Sequence, residues 1–246
     1  MHTFYLPPEK WQDPFILEQD EAHHLSRVLR IRPGEEVRLL DGQGRKGVFQ
    51  VLKCSRRQVL LQPQEIDLEP EPASRLHLAL SWTKSSRRFW LLEKAVELGA
   101  WRIIFWEGRN SQKGMDRADF HNWSKRIRAA AKQCGNPWFP ELLFLPGGVL
   151  AVADHAREMP ERIVLWEQET SRTLMDLYQE GLSGDRIVVT GPEGGLSASE
   201  IQELERAGFI PASLGPRVLR WETAVLCVLS LDMFFRDNTS KITPEF

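Results

Sequence analysis

An α/β domain with a mostly parallel sheet, preceded by a small β domain, is the fold this sequence predicts, and three observations carry it. Strand-like and helix-like segments alternate from residue 75 onward. Ahead of residue 64 the chain is instead rich in short β-branched and aliphatic runs. Between the two stands EIDLEPEP (65–72), whose four acids and two prolines resist both helix and central strand. The expected organisation is a β domain over 1–64, a linker over 65–74, an α/β domain over 75–236 and a flexible tail over 237–246.

In the small domain, strands are expected over 36–41, 47–54 and 58–63, with a turn at Gly42-Gln43-Gly44. A helix over 21–30 turns Leu25, Val28 and Leu29 inward and leaves Arg27 and Arg30 at its exposed side. After the linker, strands are expected over 76–82, 102–106, 141–145, 162–166 and 186–191. Helices fall between them over 86–98, 120–134 and 149–158, the first with Phe89, Leu92 and Val96 on one face and Gly99 as its cap. Ser197 and Glu200 form a capping box for a helix that ends at Ala207. The last helix runs from Trp221 to Phe235 and is apolar around its circumference, with a frayed tail from Arg236.

Hydrophobic residues at 42% and charged residues at 27% suit an ordinary globular protein. No run of about 18 apolar residues and no basic-then-apolar N-terminus occurs, so membrane span and secretion are not expected and a cytoplasmic location is. Cys54, Cys134 and Cys227 lie far apart without CxxC spacing, which points to free thiols and to no metal site. Net charge is −2, but residues 22–64 hold nine Lys or Arg against three acids.

Two loops carry chemistry. Gly191-Pro192-Glu193-Gly194-Gly195 follows an apolar strand and precedes a capped helix, where α/β folds bind ligands and where glycines let backbone approach them. It matches neither the dinucleotide fingerprint nor the P-loop, and by itself reads equally as a tight turn. Leu214-Gly215-Pro216-Arg217-Val218-Leu219-Arg220 leads into Trp221-Glu222-Thr223-Ala224 at a helix start, whose backbone donors suit a polar ligand edge.

In chain order, HHLSRVLR, RPGEEVRLLDG, EKAVELG, AAKQCG, GPEGGLSASE and LGPRVLRWETA resemble the 16S rRNA uracil N3-methyltransferase family of the SPOUT superfamily, over nearly the whole chain. The resemblance implies a C-terminal SPOUT domain closed by a trefoil knot and an N-terminal PUA-like β-barrel that binds RNA. It also implies S-adenosylmethionine as cofactor, 16S rRNA or the small ribosomal subunit as partner, and a homodimer. The cofactor residues it implies are Leu165, Trp166, Glu167, Thr190, Gly191, Pro192, Glu193, Gly194, Gly195, Leu214, Gly215, Val218 and Leu219, with Thr223 and Ala224 closing the last helix over the ligand.

Methylation at uracil N3 requires loss of an imide proton, helped by a base and by cations that favour the uracil anion. Arg220 and Arg109 are candidates for the electrostatic role and Glu222 for the base; each reads equally well as an ion pair or helix cap. Candidate RNA contacts are Arg27, Arg30 and Arg32 and the cluster Lys84, Arg87 and Arg88, with Trp82 or Trp106 as base-stacking surfaces. Asn136, where the family commonly has arginine, and EGRNSQ around Arg109 depart from the pattern and touch the expected substrate contacts. Two rivals remain: a SPOUT ribose 2'-O-methyltransferase, disfavoured because TKSSRRFW stands where an Asn-x-Gly segment is expected, and a non-catalytic RNA-binding assembly factor.

Overall fold

The computed structural model describes residues 1–82, 87–108 and 117–239. It divides into two compact units, the first formed by Met1–Glu71 with Ile127–Phe139 and the second by Pro72–Arg126 with Pro140–Phe246.

The first unit is built on a five-stranded sheet. Its strands are β1 (His2–Tyr5), β2 (Phe15–Glu18), β3 (Glu36–Leu40), β4 (Arg45–Cys54) and β5 (Gln58–Leu68), in the order β1-β3-β4-β5-β2. All neighbours are antiparallel except β1 and β3. Alternation sends Val37, Leu39, Phe49, Val51, Val59 and Leu61 into one core with Phe4, Phe15 and Leu17. Strand β5 continues to Leu68, so residues expected to open the linker are ladder residues. A register shift between Val48 and Phe49 lets Pro63 sit at an irregularity, where a missing N–H does least harm.

The expected helix over 21–30 is shorter and broken. Helix α1 (Gln19–His23) passes into a π-turn over His24–Val28, in which Leu29 N donates to His24 O at 3.0 Å. The wider turn rotates the following side chains relative to an α-helix. Leu25 stays buried, but Val28, expected inward, is 61% exposed.

The segment Ile127–Phe139 closes the first unit. Phe139 N donates to Gly42 O and Gly44 N donates to Pro137 O, while the Phe139 and Tyr5 rings lie 5.5 Å apart.

The second unit holds six parallel strands, β6 (Leu76–Ser81), β7 (Arg102–Trp106), β8 (Glu141–Leu145), β9 (Glu161–Leu165), β10 (Arg186–Thr190) and β11 (Ile210–Ala212), in the order β11-β9-β10-β6-β7-β8. The helices are α2 (Arg88–Glu97), α3 (Arg117–Cys134), which belongs to the second unit only as far as Arg126, α4 (Gly148–His155), α5 (Leu174–Glu180), α6 (Ala198–Arg206) and α7 (Trp221–Thr239). Central strands are buried on both faces, which is why they read as continuous apolar runs. Leu78, Leu80, Phe105 and Val188 pack with α2, α5 and α7, whereas Ala79, Ile104, Val164 and Val189 pack with α4 and α6.

Helices α5 and α6 are each opened by a capping box, Thr173 with Asp176 and Ser197 with Glu200. Each such cap contributes about 1 kcal/mol.

A buried charged cluster fixes α7 in place. Asp232, fully buried, accepts from Tyr178 Oη at 2.9 Å and pairs with Arg186 Nη1 at 3.3 Å and Arg236 Nη1 at 3.2 Å. Arg236 also donates to Gly99 O and Leu98 O. Arg236 is therefore anchored rather than frayed, and α7 runs on to Thr239.

Candidate functional site

The carboxyl ends of β11, β9 and β10, adjacent in the sheet, open into one cavity of about 790 Å³ that also takes in the first turn of α7. This is where parallel α/β sheets bind ligands, and the volume suits a small cofactor. Leu165, Trp166 and Glu167 come from the end of β9, and Thr190 with residues 191–196 from the end of β10. Leu214, Gly215 and residues 217–220 come from the loop after β11, Trp221, Glu222 and Ala224 from α7, and Arg87 from just before α2.

Of the residues expected to hold a cofactor, all but Thr223 line this cavity; Thr223 is exposed on α7. Arg217, inside the loop 214–219 already singled out, lines it too, while Leu196 and Trp221 also line it and were missed. Their signal was adjacency, since each is embedded in or abuts a loop already singled out.

Two glycines set the loop geometry. Gly195 has φ +71°, and a β-carbon there would stand 2.7 Å from Glu167 Oε1. A β-carbon on Gly191 would stand 2.9 Å from Leu196 Cγ. The bare backbone thus lets the loop fold tightly, with Gly195 N donating to Pro192 O at 2.9 Å.

Three of the lining residues carry a buried polar side-chain atom without a hydrogen-bond partner among the described residues. Thr190 is 3% exposed, yet its Oγ1 has no hydrogen-bond partner among the described residues. The Nε1 atoms of Trp166 and Trp221 are buried in the same condition. The glycine-rich backbone of residues 191–195 and Gly215 lines the same space, which suits a ligand with hydrogen-bonding edges. Glu167 and Glu193, both exposed on the rim, suit a cationic sulfur.

Glu222 is 8% exposed at the start of α7 and forms an ion pair with Arg87. The positive end of the helix also favours its carboxylate. Arg220 is exposed on the rim directly before it. Arg109 and Lys84 lie outside the described residues.

The remaining basic candidates separate. Arg27, Arg30 and Arg32 are exposed together in the first unit, with Arg30 at φ +56°. Arg88 instead lays its guanidinium over the Trp82 ring at 4.0 Å and near the Trp123 ring at 5.4 Å. Trp82 and Trp106 are 2% and 0% exposed, so neither offers a face to a base. Core packing claims them, Trp82 within an aromatic cluster with Phe105 and Trp123. Asn136 serves its own turn, its Oδ1 accepting from Trp138 N at 2.9 Å.

Comparison with known proteins agrees with this geometry. Residues 69–233 match the RNA methyltransferase domain model, and residues 17–64 match the RNA methyltransferase PUA domain. The Ribosomal RNA small subunit methyltransferase E of Mycobacterium bovis is 30% identical, over 87% of this chain and 84% of that protein. Its Bacillus subtilis counterpart is 24% identical over 88% of each. Among solved structures, the Ribosomal RNA small subunit methyltransferase E from Neisseria gonorrhoeae, bound to S-adenosyl methionine, aligns with TM-score 0.79 and 26% identity, over 94% of this chain and 95% of that one. A protein of Legionella pneumophila, described as a methyltransferase in complex with bound SAM, aligns with TM-score 0.78 and 29% identity over 93% and 95%.

Proposed function

We propose, from the premise that this chain belongs to the RNA methyltransferase family, that it is an S-adenosylmethionine-dependent methyltransferase of 16S rRNA acting on N3 of a uridine. The observation that carries the reading is the cavity at the ends of β9, β10 and β11, lined by both glycine-containing loops and by the first turn of α7.

S-adenosylmethionine, when bound, supplies an electrophilic methyl carbon. The protein's part is to hold and orient. The glycine loops would present backbone to the cofactor, and Glu167 and Glu193 would offset its positive charge. Fixing both reactants in one cavity contributes much of the acceleration.

Uracil N3 becomes a nucleophile on losing its proton. Glu222 Oε1 is engaged by Arg87, which leaves Oε2 to accept that proton. Arg220 stabilises the negative charge that spreads onto the uracil carbonyls, and Arg109 shares that role. Arg27, Arg30, Arg32, Lys84 and Arg87 contact phosphates.

The same reading includes a homodimer, a cytoplasmic location and a C-terminal trefoil knot. Phe234, 61% exposed on α7, supports the dimer. The fold shared with the family supports the knot.

The test is mass-spectrometric mapping of modified nucleosides in small-subunit rRNA with and without this gene. Loss of 3-methyluridine at one position is expected, and an unchanged signal overturns the assignment.

A further inference from the structure

The rim of the cavity is electrically two-sided. Glu167 and Glu193 are exposed on the loops after β9 and β10, whereas Arg217 and Arg220 are exposed on the loop after β11. Neither arginine has a carboxylate partner among the described residues. Between them Val218 is 86% exposed, more than any other large apolar side chain among the described residues, while still lining the cavity. An apolar side chain held on a lip between two uncommitted guanidinium groups matches a nucleotide, which presents a flat apolar base beside anionic phosphates. A polyanion is also repelled from the Glu193 side of the rim, so its approach is set by charge.

The atom to be methylated adds a condition. Uracil N3–H is the Watson–Crick donor, so the target has to be unpaired or extruded before it reaches the cavity. Such a base needs a new surface in place of the stack it has left.

We infer that residues 217 and 218 form the entry lip for an unpaired uridine, Arg217 contacting a phosphate next to the target and Val218 supporting the base. The inference rests on the proposed function and assigns Arg217 a role distinct from that of Arg220. Pro216 and Gly215, at φ +103° with nothing within 4 Å of its β-carbon position, shape the loop without obstructing its open side.

The experiment uses the full chain saturated with S-adenosylmethionine and a labelled single-stranded 16S rRNA fragment containing the target, titrated by fluorescence anisotropy at several salt concentrations. Arg217→Ala is expected to weaken binding about fivefold to tenfold and to lower the slope of log K against log salt by about one. Arg217→Lys restores most of the slope, and Val218→Asp weakens binding more than Arg217→Ala. Each titration is run at a cofactor concentration that calorimetry shows to saturate that variant, so a change in cofactor affinity does not enter the RNA readout. Unchanged RNA affinity and slope in Arg217→Ala and Val218→Asp overturn the inference. So does a shift from dimer to monomer in sedimentation with RNA affinity unchanged, which assigns the lip to a second copy of the chain. Failure of the proposed function itself reads differently: wild-type protein binds the fragment through residue 217 and leaves it unmethylated.

Discussion

Glu167 Oε1 and Gly195 meet so closely that a β-carbon on the glycine would stand 2.7 Å from the carboxylate oxygen. The loop after β10 and the carboxylate after β9 are thus a matched pair. Gly195→Ala adds left-handed strain of about 1–2 kcal/mol and displaces the carboxylate. Cofactor affinity is expected to fall at least tenfold by calorimetry, with only a small drop in melting temperature. Unaltered affinity would show that this contact plays no part in cofactor binding.

Arg220→Ala is expected to lower the single-turnover rate roughly a hundredfold at saturating RNA and cofactor. Glu222→Gln should lower it by a similar or larger factor. Wild-type turnover in the first variant removes the electrostatic role given to Arg220, and wild-type turnover in the second removes the base.

Asp232 joins Tyr178, Arg186 and Arg236 with no exposure of its own. Asp232→Leu leaves Arg186, itself 3% exposed, buried without its carboxylate, at a cost of about 3–5 kcal/mol. Tyr178→Phe removes one hydrogen bond and costs about 1 kcal/mol. Urea unfolding orders the two variants, and equal losses would mean that the ion pairs contribute nothing beyond the hydroxyl.

His77, 3% exposed on β6, has no partner for either ring nitrogen among the described residues. Burial, and after it the charge of Arg102, pushes its pKa down from 6.5 to about 4. Above pH 6.5 the ring is neutral in both folded and unfolded chains. As pH falls from 6.5 towards 4, the unfolded chain takes up a proton that the folded chain refuses, so stability declines, and below 4 the loss is complete. The full effect is about 3 kcal/mol. The difference in unfolding free energy between wild type and His77→Leu should move by about that amount between pH 7.5 and 4. A constant difference refutes it.

Arg88→Ala should destabilise the protein by about 1–2 kcal/mol through loss of its stacking on Trp82, while RNA affinity stays unchanged. A lowered RNA affinity with unchanged melting temperature would restore the phosphate contact expected from the sequence.

Much of the second unit was legible because its signals are local. The pairing of Ser197 with Glu200, the strand ahead of Gly191 and the glycine at 99 are each decided within a few residues. The same logic could have found α5, since Thr173 and Asp176 carry the spacing of Ser197 and Glu200. Other features depend on contacts distant in sequence. Val28 alternates like a core residue, but a π-turn displaces it. Arg88 looks like any surface arginine until Trp123 arrives beside Trp82. The short edge strands β1 and β2 leave too little pattern to read. At the site, loop composition singled out residues 191–195 and 214–224 and the family resemblance added Leu165, Trp166 and Glu167, whereas the pairing of Arg87 with Glu222 joins residues 135 positions apart.

The membership of Ile127–Phe139 in the first unit governs how this chain can be cut and how it is made. On the ribosome, the turn at Gly42 and Gly44 waits for Pro137 and Phe139, so the N-terminal unit cannot finish folding before much of the next one has emerged. A truncated chain ending at Glu71 has the whole sheet and lacks its closing segment. Expressing the N-terminal unit alone therefore calls for a chimera in which residues 127–139 are spliced behind residue 71 rather than a simple truncation.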